Sequence, residues 1–456
     1  MSEEFDIICL GAGPAGEAIG VELEGSGLSL AVIEKNLVGG ECAYWGCMPT
    51  KTLLRSAETL AEVGRASELA ASRVEVDVDY PKIHKRTSMV ARDLDDSGAA
   101  KAIEDQGHTV IRGEGRLTGP RTVTVGDREL TARKAVVIAT GTEPVVARIP
   151  GIEDVGAWTT REGVLAAELP PRFVVVGAGP AGVEISQAFL RFGSQVHLFE
   201  SAPRVLAAEE PEAGEFVQKK LVEAGLEVRC STNVDKVDAD GGEIHVHCND
   251  GSTVACDKLM VSTGRKPNSE GLDMEAAGIR VNARGWVQVD PETLEASDGI
   301  YAVGDITGLG GFTHLSHYHG TVVGRRLRGE DVRADHAAIP RVTYTDPEVG
   351  SIGMTEAQAR EKGINVRIGS ADVMNSARGY IHGEPGGLIK VVVDADSKLI
   401  VGATLVGPRS GEMLSEFTLA MRAGVTLPIL ADTMHAFPTF SRILQGVFDS
   451  LSRGLE

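Results

Sequence analysis

The hexapeptide Gly-Ala-Gly-Pro-Ala-Gly occurs twice without change, at residues 11–16 and 177–182. Each copy follows an apolar run, FDIICL or FVVV, and opens a segment of helical period. A second apolar run then ends in an acid: LSLAVIE at Glu34 and QVHLFE at Glu200. One G-x-G-x-x-G alone is weak evidence. Here strand, glycines, helix, strand and acid recur together, which is the context of a dinucleotide-binding βαβ unit. The first glycine of each copy (Gly11, Gly177) permits a tight turn. The second (Gly13, Gly179) lets a pyrophosphate approach the backbone, and the third (Gly16, Gly182) lets helix and strand pack closely. The helix N-terminus offers free N–H groups and a positive dipole end to the phosphates. Glu34 and Glu200 are then placed to accept hydrogen bonds from ribose hydroxyls. Two such units imply two dinucleotides. Glu200 favours NAD in the second, because a carboxylate repels a 2′-phosphate, while Arg204 nearby keeps NADP open.

The 456 residues are enough for about three domains. Between the two copies, residues 57–69 and 89–107 read as charge-rich helices, and 109–111 and 122–125 as short strands. AVVIATGTEP, residues 135–144, reads as a buried strand ending in a glycine turn. KLMVSTGRKPN, residues 258–268, closes the second unit and contributes Gly264 to its turn. DGIYAVGDITG, residues 298–308, adds an apolar strand that ends in Gly304-Asp305. From about Pro340 the pattern becomes alternating, as in antiparallel strands, with helical segments at 412–422 and 441–452. The fold class expected is α/β, with two Rossmann-like dinucleotide-binding domains and an α+β C-terminal domain. The boundaries expected are 1–150, 151–270, 271–338 and 339–456, the first and third forming one domain.

Charge narrows the partners. A formal net charge of −20 disfavours nucleic acid and anionic membranes. No run of about 18 apolar residues is present, so no membrane span is expected. The first residues, MSEEFDIICL, lack the basic start and apolar stretch of a secretory signal, and the expected location is cytoplasmic. Six cysteines in this length make no disulfide scaffold. Cys9, Cys230, Cys248 and Cys256 read as packing or surface thiols.

The remaining two differ. In LVGGECAYWGCMPTKTLL, Cys42 and Cys47 are separated by four residues. That is neither zinc-finger nor thioredoxin-like spacing, and no second pair lies nearby to complete a tetrahedral site, so no metal centre is expected. The pair begins a helix, whose dipole lowers a thiol pKa. A dithiol there can cycle to a disulfide and pass two electrons. A flavin can take a hydride from NADH and hand the electrons on.

At these residues the chain resembles the pyridine nucleotide–disulfide oxidoreductases, the family of dihydrolipoamide dehydrogenase, glutathione reductase and mercuric reductase. GGECAYWGCMPTK fits the family's GGxCxxxxCxPxK, and ATG at 139–141, STGRKPN at 262–268 and AVGD at 302–305 follow in the expected order. The resemblance covers nearly the whole length. It implies FAD in the first unit and NAD in the second, a homodimer formed through the C-terminal domain, and a small-molecule electron acceptor. It implies that Cys47 faces the flavin as the charge-transfer thiolate, and that Cys42 exchanges with the acceptor. Lys51 would sit by the reactive flavin nitrogen, paired with Glu184. Asp305 would bind the ribitol and Glu34 the adenosine ribose. Gly40, Gly115, Thr140, Gly141, Gly304 and His317 would also line the FAD site, with Gly264 among the nucleotide contacts.

Two positions depart from the family. Its disulfide reductases carry HPTxSE near the C-terminus, in which the histidine is the acid–base group and reaches in from the other subunit, oriented by the glutamate. Here HAFPTFSR, residues 435–442, puts Phe437 at the histidine position and Arg442 at the glutamate position. Phenylalanine transfers no proton. His435, two places earlier, is the nearby candidate substitute. The C-terminal cysteine pair of mercuric reductase is absent from SLSRGLE, which disfavours mercury as substrate. The leading function is reduction of a disulfide or dithiol-reactive small molecule. A quinone or metal-ion reductase and a non-catalytic redox sensor are the alternatives. His314 and His317, three residues apart in THLSHYHG, could share a helix face, as structural contacts, as a proton donor or as a soft-metal perch. Tyr44 and Trp45 read as packing, or as walls that narrow the disulfide face or stack on an aromatic acceptor.

Overall fold

The computed structural model describes residues 3–383 and 386–453. They form two compact units. One is built from the segments up to Pro49, Lys85–Val145 and Gly264–Asp335, and the other from Thr50–His84, Val146–Thr263 and His336 onward.

In the first unit a parallel sheet runs in the order Ile300–Ala302, Arg128–Ile138, Glu3–Leu10, Leu30–Glu34, Thr109–Arg112. Its strands read as continuous apolar runs because both faces are covered. The period of two divides them between two cores. Ile8 and Leu10 join one with Val136 and Ile138, while Ile7 and Cys9 join the other with Val137 and Ile19. On the second face the helices Pro14–Leu23 and Thr313–Leu327 lie against each other. A Cβ at Gly320 would stand 2.4 Å from the Ala15 carbonyl oxygen, and one at Gly324 2.5 Å from the Glu22 Cβ. These two glycines let the backbones approach, and the contact fixes the start of the second helix over the first glycine loop.

The expected helix at 89–107 is broken in two. Tyr80–Val90 and Ser97–Asp105 are separated by Arg92, Asp93 and Leu94, with φ of +56°, +49° and +61°. The Asp96 carboxylate accepts from Val38 N–H and from Arg112, both at 2.6 Å, which draws the chain out of the helix. The strand expected from 135 begins at Arg128. Its first half pairs with Thr122–Val125, which pairs in turn with Gly115–Gly119 in an antiparallel arm. The charged sequence RELTARK hid this half of the strand from an apolar pattern. The helix expected over 57–69 starts earlier, at Cys47, and runs to Gly64.

In the second unit the parallel order is Glu227–Arg229, Gln195–Phe199, Arg172–Val176, Lys258–Val261. This repeats the order of the corresponding four strands of the first unit. An antiparallel meander, Val234–Asp240, Glu243–Cys248 and Thr253–Cys256, forms a separate three-stranded sheet and precedes Lys258–Val261 in sequence. The C-terminal segment forms an antiparallel sheet in the order Pro340–Thr343, Glu348–Gly353, Leu399–Gly407, Leu388–Asp394, Val366–Asp372. The last of these was not expected from the pattern. The helices Ser410–Ala423 and Arg442–Arg453 cover this sheet. Leu444, Val447, Phe448 and Leu451 make the buried stripe of the final helix, each worth about 1.5–3 kcal/mol of apolar burial. The fold class is the one the sequence indicates: two Rossmann-like units and an α+β C-terminal domain.

Candidate active site

The two glycine loops agree atom by atom. Gly11 and Gly177 have φ of +109° and +105°. A Cβ on either would sit 2.4 Å from a carbonyl oxygen of a neighbouring strand end, Ala139 or Ser262. A Cβ on Gly16 or Gly182 would collide with the carbonyl oxygen of Gly11 or Gly177, at 2.3 and 1.9 Å. The middle glycines face open ground. Gly13 meets nothing nearer than the Gly40 Cα at 3.9 Å, and Gly179 nothing within 4 Å. Each loop is closed by its acid. Glu34 accepts from Ala12 N–H at 2.9 Å and Asn36 N–H at 2.7 Å, and Glu200 from Ala178 N–H at 2.7 Å and Ala202 N–H at 2.8 Å. Loops with room only above the middle glycine, at the N-terminus of a helix, fit a dinucleotide pyrophosphate. Arg204 is turned away from Glu200, donating to the carbonyls of Ala207 and Glu209.

Gly39 and Gly40, with φ of +111° and +67°, bring the cysteine segment against the first loop; a Cβ on Gly40 would meet the Gly13 Cα at 2.8 Å. Cys42 lies in the short helix Gly40–Tyr44, and Cys47 is the first residue of Cys47–Gly64. Gly46 permits the close turn between them, its missing Cβ being 3.1 Å from the Glu41 carbonyl oxygen. Both residues are half-buried thiols. The Cys47 sulfur beside it, together with burial, pushes the Cys42 thiol above its ordinary pKa. Sequence reasoning expected the helix start to lower the pKa of the pair. The helix in fact starts at Cys47, so its dipole acts there.

Tyr44 is fully buried and donates to the Val38 carbonyl at 2.8 Å, so it packs the loop and offers no stacking face. Trp45 is half-buried, with its ring 5.9 Å from that of Tyr44.

Asp305 follows the strand Ile300–Ala302. Its carboxylate accepts from the Thr142 hydroxyl at 2.9 Å and the Ser316 hydroxyl at 3.4 Å, and burial raises its pKa. Arg265 donates to the hydroxyl and carbonyl of Thr142 and lies 3.7 Å from Glu41. Thr140 donates to the Asn268 carbonyl, and the Asn268 amide donates back to the Thr140 carbonyl. Gly141 has φ of +63° at the end of the same strand. Gly264 ends the corresponding turn at φ of +137°, its carbonyl accepting from Val145 N–H. Gly115 lies in the sheet arm, where a Cβ would strike Leu10 at 2.6 Å.

Among the histidines, His314 and His317 are exposed on the helix Thr313–Leu327. His319 is buried, and its Nδ1 accepts from Gly304 N–H at 3.1 Å, holding the loop that presents Asp305. No cluster of three or more metal-ligating side chains occurs among the described residues. Sequence reasoning singled out His319 with His314 and His317 but missed Thr142, Arg265, Ser316 and Thr313. The Thr313 hydroxyl stands 3.3 Å from the Cys47 sulfur. Thr142 and Arg265 had a signal, each standing directly after a Thr-Gly turn, Ala-Thr-Gly and Ser-Thr-Gly.

In the second unit the structure brings Lys51 and Glu184 together at 2.8 Å. Glu184 is almost fully buried. Its other oxygen accepts from Tyr344 N–H at 2.7 Å, and the Lys51 ammonium lies 4.9 Å from the centre of the Tyr344 ring. Lys51 is one helical turn beyond Cys47.

In the C-terminal segment Phe437 is 73 % exposed. Arg442 is exposed at the start of the last helix. His435 Nε2 faces the Glu416 carboxylate at 2.9 and 3.1 Å, and its Nδ1 faces the Thr433 carbonyl at 3.1 Å. His435 is thus held by Glu416, two places before the position that Phe437 fills.

Duplicated dinucleotide folds, one with a dithiol at its loop, define a two-nucleotide oxidoreductase. Residues 5–322 match the pyridine nucleotide-disulphide oxidoreductase family, and residues 339–447 match its dimerisation domain. The chain belongs to this family. It is 34% identical over 456 residues to a dihydrolipoyl dehydrogenase of Thermus scotoductus, covering 98% of each chain. It is 31% identical to a mercuric reductase of Bacillus cereus, covering 97% of this chain and 70% of that one. Among solved structures it resembles the HOCl-induced flavoprotein disulfide reductase RclA of Escherichia coli in its Cu(II) complex. The TM-score is 0.86 at 29% identity, covering 97% of this chain and 99% of that one. The protein is an FAD- and NAD(P)H-dependent disulfide oxidoreductase of the dihydrolipoamide dehydrogenase-like class, with Cys42 and Cys47 as its candidate redox disulfide. The matched dimerisation domain supports a homodimer. Among the described residues no helix is long and apolar enough to cross a membrane.

Proposed function

We propose that this protein carries electron pairs from NADH through FAD and the Cys42–Cys47 pair to a dithiol-reactive small molecule, without an imidazole as acid–base group. The observation that carries this reading is the pair of adjacent thiols at the start of a helix, beside the first glycine loop. Gly11, Gly13, Gly16, Glu34 and Gly40 would cradle the adenosine and pyrophosphate of FAD. Gly115, Thr140, Gly141, Gly304, Asp305 and His317 complete the proposed FAD set, with Asp305 on the ribitol. Gly177, Gly179, Gly182, Glu200 and Gly264 would serve NADH. Glu200 and the averted Arg204 support NADH over NADPH. The bound flavin supplies two-electron exchange between nicotinamide and disulfide. The protein's own residues orient the partners and hold charge. Lys51 is held by Glu184. Cys42 attacks a disulfide acceptor and releases one acceptor thiol, and Cys47 then displaces the second as the Cys42–Cys47 disulfide re-forms.

Phe437, at the histidine position, leaves proton balance to solvent or to the acceptor itself. That observation supports a second reading, reduction of a quinone or metal ion; the relative crystallised with Cu(II) makes copper a natural probe. Anaerobic NADH titration tests the first reading. Uptake of four electrons per FAD with a long-wavelength band is expected, and uptake of two would overturn it. The Cys42→Ser variant separates the readings. Loss of all turnover with lipoamide, a quinone and Cu(II) supports the dithiol path, and retained quinone or Cu(II) turnover supports the second.

A further inference from the structure

The segment from Glu200 to Glu210 ties the second glycine loop to the C-terminal sheet. At its start, Glu200 accepts from Ala178 N–H at 2.7 Å, and Leu206 N–H donates to the Ala178 carbonyl at 2.9 Å. Arg204 therefore lies in a turn that closes on the glycine loop from both sides. Val205 and Leu206 are buried, which pins that turn.

At the end of the segment two acids are buried, so each depends on its partners. Glu209 accepts from Arg341 at 3.1 and 3.2 Å and from the Ser351 hydroxyl at 2.6 Å. Glu210 accepts from Glu356 N–H at 2.6 Å and from Lys390 at 3.0 Å. Arg341, Ser351 and Lys390 all stand on strands of the C-terminal sheet.

Arg204 links the two ends. One guanidinium nitrogen donates to the carbonyls of Ala207 at 2.9 Å and Glu209 at 3.1 Å. Its Nε is buried with no hydrogen-bond partner among the described residues. Gly214 makes room for this pose, since a Cβ there would stand 3.2 Å from the Arg204 Cδ. A guanidinium held by two carbonyls, with one N–H unpaired, gains more from a phosphate, which it grips through two parallel hydrogen bonds. What holds it away is the place of the Glu209 carbonyl, and the Glu209 side chain sets that place.

We propose that Glu209 is a specificity-determining positioning residue for the nicotinamide dinucleotide. Anchored on Arg341 and Ser351, it keeps Arg204 from reaching a phosphate on the ribose that Glu200 serves. NADPH is then refused twice, by the Glu200 carboxylate and by the withheld cation. The C-terminal sheet takes part in the choice of coenzyme through Glu209.

This inference rests on the reading of the second unit as an NADH site, and the test separates the two. Holoprotein is mixed anaerobically with NADH or NADPH, and flavin bleaching is timed, which needs no acceptor. Inhibition of NADH bleaching by 2′,5′-ADP and by 5′-AMP reports the ribose phosphate by itself. Glu209→Gln and Arg341→Met should each raise the NADPH-to-NADH ratio of bleaching about fivefold or more, through a lower apparent Kd for NADPH at an unchanged limiting rate. Each should tighten 2′,5′-ADP relative to 5′-AMP by a similar factor. Adding Arg204→Met to either should cancel the gain. FAD content and melting temperature report folding, and Ser351→Ala, a milder cut of the same anchor, takes the place of any variant that fails to fold. A general loosening would weaken both coenzymes together. An unmoved ratio in variants that hold FAD, or a gain that survives Arg204→Met, overturns the role of Glu209. Bleaching of the unaltered protein by NADPH as fast as by NADH would instead overturn the NADH reading itself.

Discussion

Glu184 offers the sharpest test of how the second unit is wired, because each of its oxygens has one partner. One accepts from Lys51 at 2.8 Å and the other from Tyr344 N–H at 2.7 Å, and the residue is 2 % exposed. Glu184→Gln preserves shape and an acceptor for the Tyr344 amide but removes the charge that pairs Lys51. A hydrogen bond to a charged group contributes about 1.5–3 kcal/mol. The Lys51 side chain is 37% exposed, so water takes up part of that loss, and the expected cost falls to about 1–2 kcal/mol. Glu184→Ala adds an unsatisfied buried N–H, about 1–3 kcal/mol, and a cavity, for about 3–4 kcal/mol in all. Because the chain has two units, scanning calorimetry on the holoenzyme is the suitable assay, read as a shift of the transition. The Gln variant should melt about 2–6 °C below the unaltered protein, and the Ala variant clearly lower still. Equal melting of Gln and Ala variants would refute the assignment of the two oxygens. No change in the Gln variant would refute any stabilising part for the ion pair.

Other outcomes follow from the same geometry. Burial raises the Asp305 pKa, so the folded state binds this proton more tightly than the unfolded chain. Its contribution to stability is therefore greatest at low pH and declines as the pH rises from the ordinary carboxylate range through the raised value. Asp305→Asn should flatten that part of the apoprotein's stability curve in urea titrations, while weakening FAD binding about tenfold or more in fluorescence titrations. Glu200→Gln should cut the preference for NADH over NADPH in kcat/KM about tenfold, and an unchanged ratio would count against the ribose role of Glu200. Phe437→His combined with Arg442→Glu should raise lipoamide turnover at least about tenfold if proton transfer limits it, and no gain would point to pocket shape instead.

What the sequence disclosed depended on how strictly the backbone constrains each residue. Gly11 and Gly16 have no room for any side chain, so their loop can be written in few ways and is visible as a motif. The same holds for the parallel strands, whose double-sided burial makes unbroken apolar runs. The arm at Arg128 was hidden because half of it faces water. The strand Val366–Asp372 was hidden because only Gly369 in it is fully buried. Thr313 touches Cys47 across 266 residues of chain, and a threonine at a helix start is too ordinary to announce such a contact. His435 is a further case. The sequence offers it only as a candidate substitute, and its Glu416 partner, 19 residues away, has no signal in the motif.

The paired glycine loops make the molecule its own control. One substitution, Ala for the third glycine, can be placed at residue 16 or at residue 182, against the same carbonyl collision. Any difference in outcome then reports on which nucleotide is lost and not on the local damage done. Loss of colour should follow the first, and failure of NADH to bleach an otherwise yellow protein the second. The repeat thus offers two separable half-reactions that can be silenced one at a time by the same chemical edit.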